Sequence, residues 1–352
     1  MEIKDIKTID KSNNCHSPTQ PPSKKGIDKL NMRKAILDFP KQFEKDLGFT
    51  KKIKGNFENV IICGMGGSTI GANLLVLYLK EKNELRTPII IHRSYGLPKL
   101  TSKKSLIIPI SFSGNTAETI SSLKEAIKKK FKVIPITTNG KIEKICKKNN
   151  ILFLKIPKDN LQPRMATGYL FSALLKIFRE ANFISEPTKN ISLMVKNLKV
   201  ERNYENLGKK IAKSLIGSIP LIYASERFKS LAYIWKIKFN ENSKTPAFCN
   251  YFPELNHNEM VGFEKAQNFH ILILRDKDDD SRILKRMKLF SQLMRIKKIK
   301  VDFIEISGKD ILYKIFSTLA LGDWVSYYLA LEYKVDPTPV KIIEEFKKKL
   351  KE

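Results

Sequence analysis

From Asn59 to Ile156 the chain alternates strand-length apolar runs with helix-length runs, joined by short turns. Asn59–Cys63, Thr87–His92, Ser105–Ile110, Lys132–Thr137 and Ile151–Ile156 read as strands. Ile70–Lys80, Ala117–Ala126 and Gly140–Lys148 read as helices between them. Repeated strand–helix units of this kind predict a doubly wound, mostly parallel sheet flanked by helices. A second series follows, with strands at Ser218–Ala224, Phe269–Leu274 and Lys300–Ile306. Its helices are Phe228–Asn240, Ser281–Ile296, Ile311–Glu332 and, after Asp336-Pro-Thr-Pro339, Val340–Leu350. Gly168–Ala181 reads as a long apolar helix, and Leu193–Ser214 as an interrupted one.

The pattern divides the chain into two α/β domains, 27–182 and 190–352, and 352 residues suffice for both. A first helix is expected from Asp28, stopping near Pro40, with a short one at Lys41–Leu47. Residues 1–26 are polar, carry Pro18, Pro21 and Pro22, and are expected to form a disordered leader.

Composition removes several function classes. No window of about 18 apolar residues exists, so no membrane span is expected. The first residues alternate charge and lack an apolar signal core, which makes a cytoplasmic location the expectation. The net charge of +29 raises the question of nucleic acid. Its lysines are spread along the whole chain, with no zinc-finger or aromatic–basic pattern, so nucleic acid is not the expected partner. Cys15, Cys63, Cys146 and Cys249 form no CxxC pair and the four histidines are scattered, so neither a metal nor a dithiol site is predicted. Cys63 and Cys249 read as small core residues.

Two turns carry chemistry. Ser111-Phe-Ser-Gly-Asn-Thr116 connects a strand to a helix with three hydroxyls and a glycine. Hydroxyls and free N–H groups at a helix N-terminus suit a phosphate dianion, aided by the helix dipole. An ordinary Ser/Thr cap explains one hydroxyl but not three. Gly64-Met-Gly-Gly-Ser68-Thr69 offers close backbone approach and two more hydroxyls. Should their strands be neighbours, both turns face one crevice. The glycines fall near a dinucleotide fingerprint, but Thr69 breaks it and the second strand ends in His92-Arg93 without an acid. No GxxxxGK[ST] loop is present. No cofactor is therefore expected, and a sugar phosphate fits the crevice best.

Gly64-Met-Gly-Gly-Ser-Thr-Ile-Gly71 together with Ser111-Phe-Ser-Gly-Asn-Thr-Ala-Glu-Thr119 resembles the sugar isomerase (SIS) domain. Gln162-Pro-Arg164, Asn240-Glu241-Asn242, Phe252-Pro-Glu-Leu-Asn-His-Asn-Glu259 and Val335-Asp-Pro-Thr-Pro339 narrow the resemblance to the bifunctional phosphoglucose/phosphomannose isomerases. Phe39-Pro-Lys-Gln-Phe43 is similar to that family too, and the likeness covers about residues 27–352.

The resemblance implies two SIS-type domains, a cytoplasmic homodimer, no metal, and a hexose 6-phosphate substrate. It places the phosphate on Ser68, Ser111, Ser113 and Thr116, with Gly66, Gly67 and Gly114 shaping the turns. Glu241 would shuttle the proton between C1 and C2, a carboxylate being suited to this if burial brings it toward neutrality. Read from its surroundings alone, Glu241 is an exposed helix-end carboxylate, and Glu254 and Glu259 are competing bases. His257 would open the sugar ring, donated from the partner subunit. Arg164 would set positive charge beside the enediolate oxygens; the plain reading is a surface arginine before a helix. Related enzymes carry a lysine on the late helix, absent from Gly322–Ala330; Lys334 is the first beyond it, and Ser326 is a candidate influence on glucose versus mannose preference. A sugar-phosphate sensor without catalysis is the alternative function. An amidotransferase-type isomerase is disfavoured because Cys15 has no glutaminase domain around it.

Overall fold

The computed structural model describes residues 26–185, 188–200, 203–265 and 268–350. The expected leader lies outside the described residues, apart from Gly26. Among the described residues, ten strands make two parallel sheets, with helices around them. The first sheet holds β1 (Asn59–Gly64), β2 (Ile89–His92), β3 (Ser105–Ser111), β4 (Lys132–Val133), β5 (Ile136–Thr137) and β6 (Leu154–Lys155). Its order is β2-β1-β3-β5-β6, with β4 also on β3. The second holds β7 (Ile219–Ser225), β8 (Phe248–Phe252), β9 (Phe269–Arg275) and β10 (Lys300–Glu305), in the order β10-β9-β7-β8.

The helices are α1 (Met32–Leu37), α2 (Ile70–Glu81), α3 (Ala117–Lys128), α4 (Gly140–Lys148), α5 (Thr167–Glu180) and α6 (Thr188–Val200). They continue with α7 (Asn203–Ser214), α8 (Lys229–Lys238), α9 (Ser281–Ile296), α10 (Ile311–Glu332) and α11 (Lys341–Lys349). Among the described residues no helix is long and apolar enough to cross a membrane.

The central strands are apolar throughout because helices cover both faces of a parallel sheet. Val60, Ile61, Ile62, Leu106, Ile107 and Ile108 are all fully buried. Three expectations need correction. Lys132–Thr137 is two short pieces, because Ile134-Pro135 interrupts the ladder and proline has no N–H to donate. The strand expected over Ile151–Ile156 pairs only at Leu154 and Lys155. The short helix expected at Lys41–Leu47 is a 3-10 turn, Phe39–Phe43, opened by Pro40. The second sheet also contains a strand not anticipated, β8, whose register joins Leu221 to Phe248 and Ser225 to Phe252. It is an edge strand, and Asn250 at its centre hides the usual strand pattern.

One continuous apolar core runs through both halves. Phe316 of α10 stands edge-on to Phe171 of α5 at 5.0 Å and to Phe43 at 4.7 Å. Trp235 of α8 is fully buried and donates its indole N–H to the Thr318 carbonyl at 2.9 Å. Fully burying such side chains stabilises by about 1.5–3 kcal/mol each. The packed layer of α2, α5, α8 and α10 thus fixes the carboxyl edge of the first sheet against the segment that follows α8.

Candidate active site

β1 and β3 are adjacent, with Gly64 opposite Ile110, so the two hydroxyl-bearing turns emerge side by side. Phe112 N–H donates to Ser68 Oγ at 3.2 Å, which ties one turn to the other. Ser111 Oγ and Thr116 Oγ1 share a hydrogen bond of 2.8 Å. Ser113 is exposed, Thr116 partly so, and Ser68 and Ser111 are buried. Gly114 has φ +68°, and a Cβ there would stand 1.6 Å from the Asn139 carbonyl. Thr116, extended ahead of α3, makes no side-chain cap, which leaves the N-terminus of this 12-residue helix facing the hydroxyl cluster. The four hydroxyls thus form a cradle with the polarity an anion needs.

The glycine turn also brings the cradle to Arg164. A Cβ on Gly67 would lie 2.7 Å from the Arg164 amide nitrogen, so only glycine allows this approach. Arg164 sits in the 3-10 turn Pro163–Met165 and is fully buried, which overturns its plain reading as a surface residue. Its Nε donates to Asn242 Oδ1 at 2.6 Å and its Nη1 to Glu241 Oε2 at 3.1 Å. Its Nη2 donates to the Pro337 and Thr338 carbonyls, both at 2.9 Å. Burial works against the guanidinium charge, and Glu241 and Asp323 support it.

Glu241 and Asn242 lie in a π-turn, Phe239–Ser243, that continues directly from α8. The helix therefore ends at Lys238, two residues before the expected Asn240, and the wider turn re-aims the carboxylate. Such π-bulges recur at functional sites. The Glu241 side chain is 24% exposed, so it is open to a small ligand while paired to Arg164 from behind. Asn242 Nδ2 donates to Ser326 Oγ at 2.9 Å, fixing the turn to α10. Beneath, Lys238 and Asp323 form a buried ion pair at 2.7 Å, and Lys238 Nζ donates to the Arg164 carbonyl at 2.6 Å. Burial pushes Lys238 down and Asp323 up.

The structure brings Ser68, Ser111, Ser113, Thr116, Gly66, Gly67, Gly114, Arg164 and Glu241 to one edge of the molecule. His257 is not among them. It is exposed at the end of the 3-10 helix Glu254–His257 and makes no hydrogen bond to Arg164 or Glu241 within the chain. The two competing carboxylates are engaged elsewhere. Glu259 accepts from the Tyr223 hydroxyl and the Asn250 amide, and Glu254 from Asn258 at 2.8 Å. Ser326 is buried under Asn242 rather than facing the cradle. Sequence reasoning passed over Lys244, whose Nζ donates to the Glu241 carbonyl at 2.5 Å. Its position three residues past Glu241 was the available signal. A separate open cleft of about 610 Å³, lined by Lys213, His270, Arg295 and Lys300 among others, lies at the amino end of the second sheet and contains none of these residues.

A profile of the bacterial phospho-glucose isomerase C-terminal SIS domain matches residues 204–350. The bifunctional phosphoglucose/phosphomannose isomerase of Caldicellulosiruptor bescii is 38% identical over 339 residues, covering 91% of this chain and 99% of that protein. The chain belongs to the bifunctional phosphoglucose/phosphomannose isomerase family. A second member, from Aquifex aeolicus, is 31% identical across 90% of this chain and 98% of its own length. In fold, the chain is similar to a glucosamine-6-phosphate deaminase of Thermotoga maritima, with a TM-score of 0.66 at 16% identity over 87% of this chain and 96% of that one. Of the motifs that carry the resemblance, the glycine turn, Asn240–Asn242 and Val335–Pro339 meet at Arg164.

Proposed function

We propose that this chain interconverts fructose 6-phosphate with glucose 6-phosphate, and also with mannose 6-phosphate, through a cis-enediol. The observation that carries the reading is the Arg164–Glu241 pair, 3.1 Å apart, with the Arg164 backbone packed against Gly67 of the turn that bears Ser68. The cradle takes the phosphate of the open-chain sugar and holds the reacting carbons at a fixed distance from it. Glu241 removes the proton from C2, and the C2–H electron pair becomes the C1–C2 double bond as the C1 carbonyl takes up charge. Glu241 then returns that proton to C1, and the O2 proton moves to O1, which leaves the ketose. Arg164, buried behind Glu241, sets a positive charge that favours the negative charge developing on the enediolate.

Ring opening needs an acid/base outside this set. His257 is exposed and makes no hydrogen bond to Glu241 in its own chain, which suits a homodimer in which each copy donates His257 to the other. Mannose and glucose 6-phosphates differ only at C2, so acceptance of both requires rotation about C2–C3 within the site.

The test is turnover of fructose 6-phosphate by the purified protein, scored separately for the two aldose products. Both should form, and Glu241→Gln should lower kcat by roughly 10³-fold, within the range for a positioned acid/base. A wild type with no turnover that still binds fructose 6-phosphate would overturn the isomerase reading in favour of a sensor.

A further inference from the structure

Lys244 closes the π-turn that carries Glu241, in the left-handed region at φ 56°. Its ammonium donates to the Glu241 carbonyl at 2.5 Å and to the Pro337 carbonyl at 3.1 Å. Arg164 Nη2 reaches the same two oxygens, at 3.5 and 2.9 Å. Two cations therefore clamp one pair of carbonyls, one from the π-turn and one from the segment between α10 and α11. Their situations differ. A guanidinium has five N–H donors, and Arg164, fully buried, directs four of them at Asn242, Glu241, Pro337 and Thr338. Lys244 stays accessible to solvent, with two of its three donors engaged.

We infer that Lys244 is a positioning residue for the isomerisation: by holding the Glu241 peptide against the Pro337 carbonyl, its ammonium sets the direction in which the Glu241 carboxylate meets the sugar. This rests on the isomerase reading of the same site. The segment at 337–338 is in effect the third wall of the site, since it accepts from both cations. A shift of Glu241 by even about 1 Å would cost rate without abolishing phosphate binding.

The charged groups around Lys244 come from three segments: Arg164 from the 3-10 turn, Glu241 from the π-turn, and Asp336 from the segment after α10. Burial and Arg164 lower its pKa to about 8, against the pull of Asp336 and Glu241. Below that pH the ammonium is charged and the clamp is made. As pH rises through it the charge is lost and the clamp weakens, so kcat should fall on the alkaline side.

The experiment is the pH profile of kcat and KM for fructose 6-phosphate in wild type, Lys244→Met and Lys244→Arg. The expected wild-type profile has an alkaline limb centred at about 8. Lys244→Met should lose roughly tenfold or more in kcat with KM changed by less than about threefold, and should lack that limb. Lys244→Arg should recover much of kcat and carry the limb to higher pH, since a guanidinium stays charged there. Lys244→Met with wild-type kcat and profile overturns the inference and leaves the isomerase reading intact. If Lys244→Met fails to fold, the Lys244→Arg profile decides, and an unmoved alkaline limb overturns it. A wild type that turns over no hexose 6-phosphate removes the isomerase reading, and this inference with it.

Discussion

Arg164 donates to a carboxylate, an amide oxygen and two backbone carbonyls from separate stretches of chain. Its removal does more than delete a charge. Arg164→Met would leave buried acceptors on Asn242 and Thr338 without donors, and should lower stability by ~3–5 kcal/mol, read as a shift in the urea midpoint at constant slope. It should also depress kcat strongly. An unchanged midpoint would mean that the carbonyls find other donors and the guanidinium is not structural. Gly114→Ala should weaken phosphate-ester binding, because the new Cβ would meet the Asn139 carbonyl at 1.6 Å and the φ of +68° is strained for alanine. Competition by inorganic phosphate would measure this, and wild-type affinity would contradict it. At this scale the sequence showed residue types and their motif context, so the cradle and Glu241 were legible. The burial of Arg164 was not, since it depends on carbonyls contributed from residues 337–338. Lys244 escaped for the same reason: its environment is made by Arg164 and Asp336, remote in sequence.

The π-turn between α8 and β8 is the element that converts a helix end into a site. It was read as a plain helix terminus because one wide turn of five residues at a helix end is too short to show in the apolar periodicity. Asn242 is its anchor, bridging Arg164 Nε and Ser326 Oγ. Asn242→Leu should cost about 1–3 kcal/mol through the unsatisfied groups it leaves, and should reduce kcat more than kcat changes on altering the cradle. Thermal unfolding and steady-state kinetics on the same preparation separate the two effects. An Asn242→Leu protein with normal kcat would show that the turn holds Glu241 without the bridge. The strands of the first sheet that carry the cradle, β1 and β3, were visible as short apolar runs rich in Val and Ile. β8 was not, because an edge strand tolerates Asn and Cys and lacks the alternation that marks a half-buried strand.

The two sheets place different chemistry at corresponding edges. After β3 comes the hydroxyl turn, whereas after β9 come Asp276, Asp278 and Asp279. Asp276 is fully buried and accepts from Lys314 Nζ at 2.8 and 2.7 Å and from Arg227 at 3.0 Å. Arg227 also pairs with Glu81 of α2 at 2.6 Å, so this network links the second sheet to the first half. Lys314→Met would strand a buried carboxylate cluster and should destabilise by ~3–5 kcal/mol, visible as a lower thermal midpoint. An unchanged midpoint would mean that Arg227 alone neutralises the cluster. The alternation of strands and helices made the two-sheet architecture readable from sequence, but the division of labour between the halves depends on which turns face each other across α2, α5, α8 and α10. That arrangement places a cradle from one half before a carboxylate from the other.

The central claim is that Glu241 passes one proton between C2 and C1. It is tested most directly with glucose 6-phosphate carrying deuterium at C2, converted in ordinary water, with the label followed by NMR at C1 of the fructose 6-phosphate formed. The account predicts partial transfer to C1 with the remainder lost to solvent, because a carboxylate exchanges its proton during the lifetime of the enediolate, and it predicts that Glu241→Gln abolishes both. No label at C1, or undiminished turnover by Glu241→Gln, would contradict it.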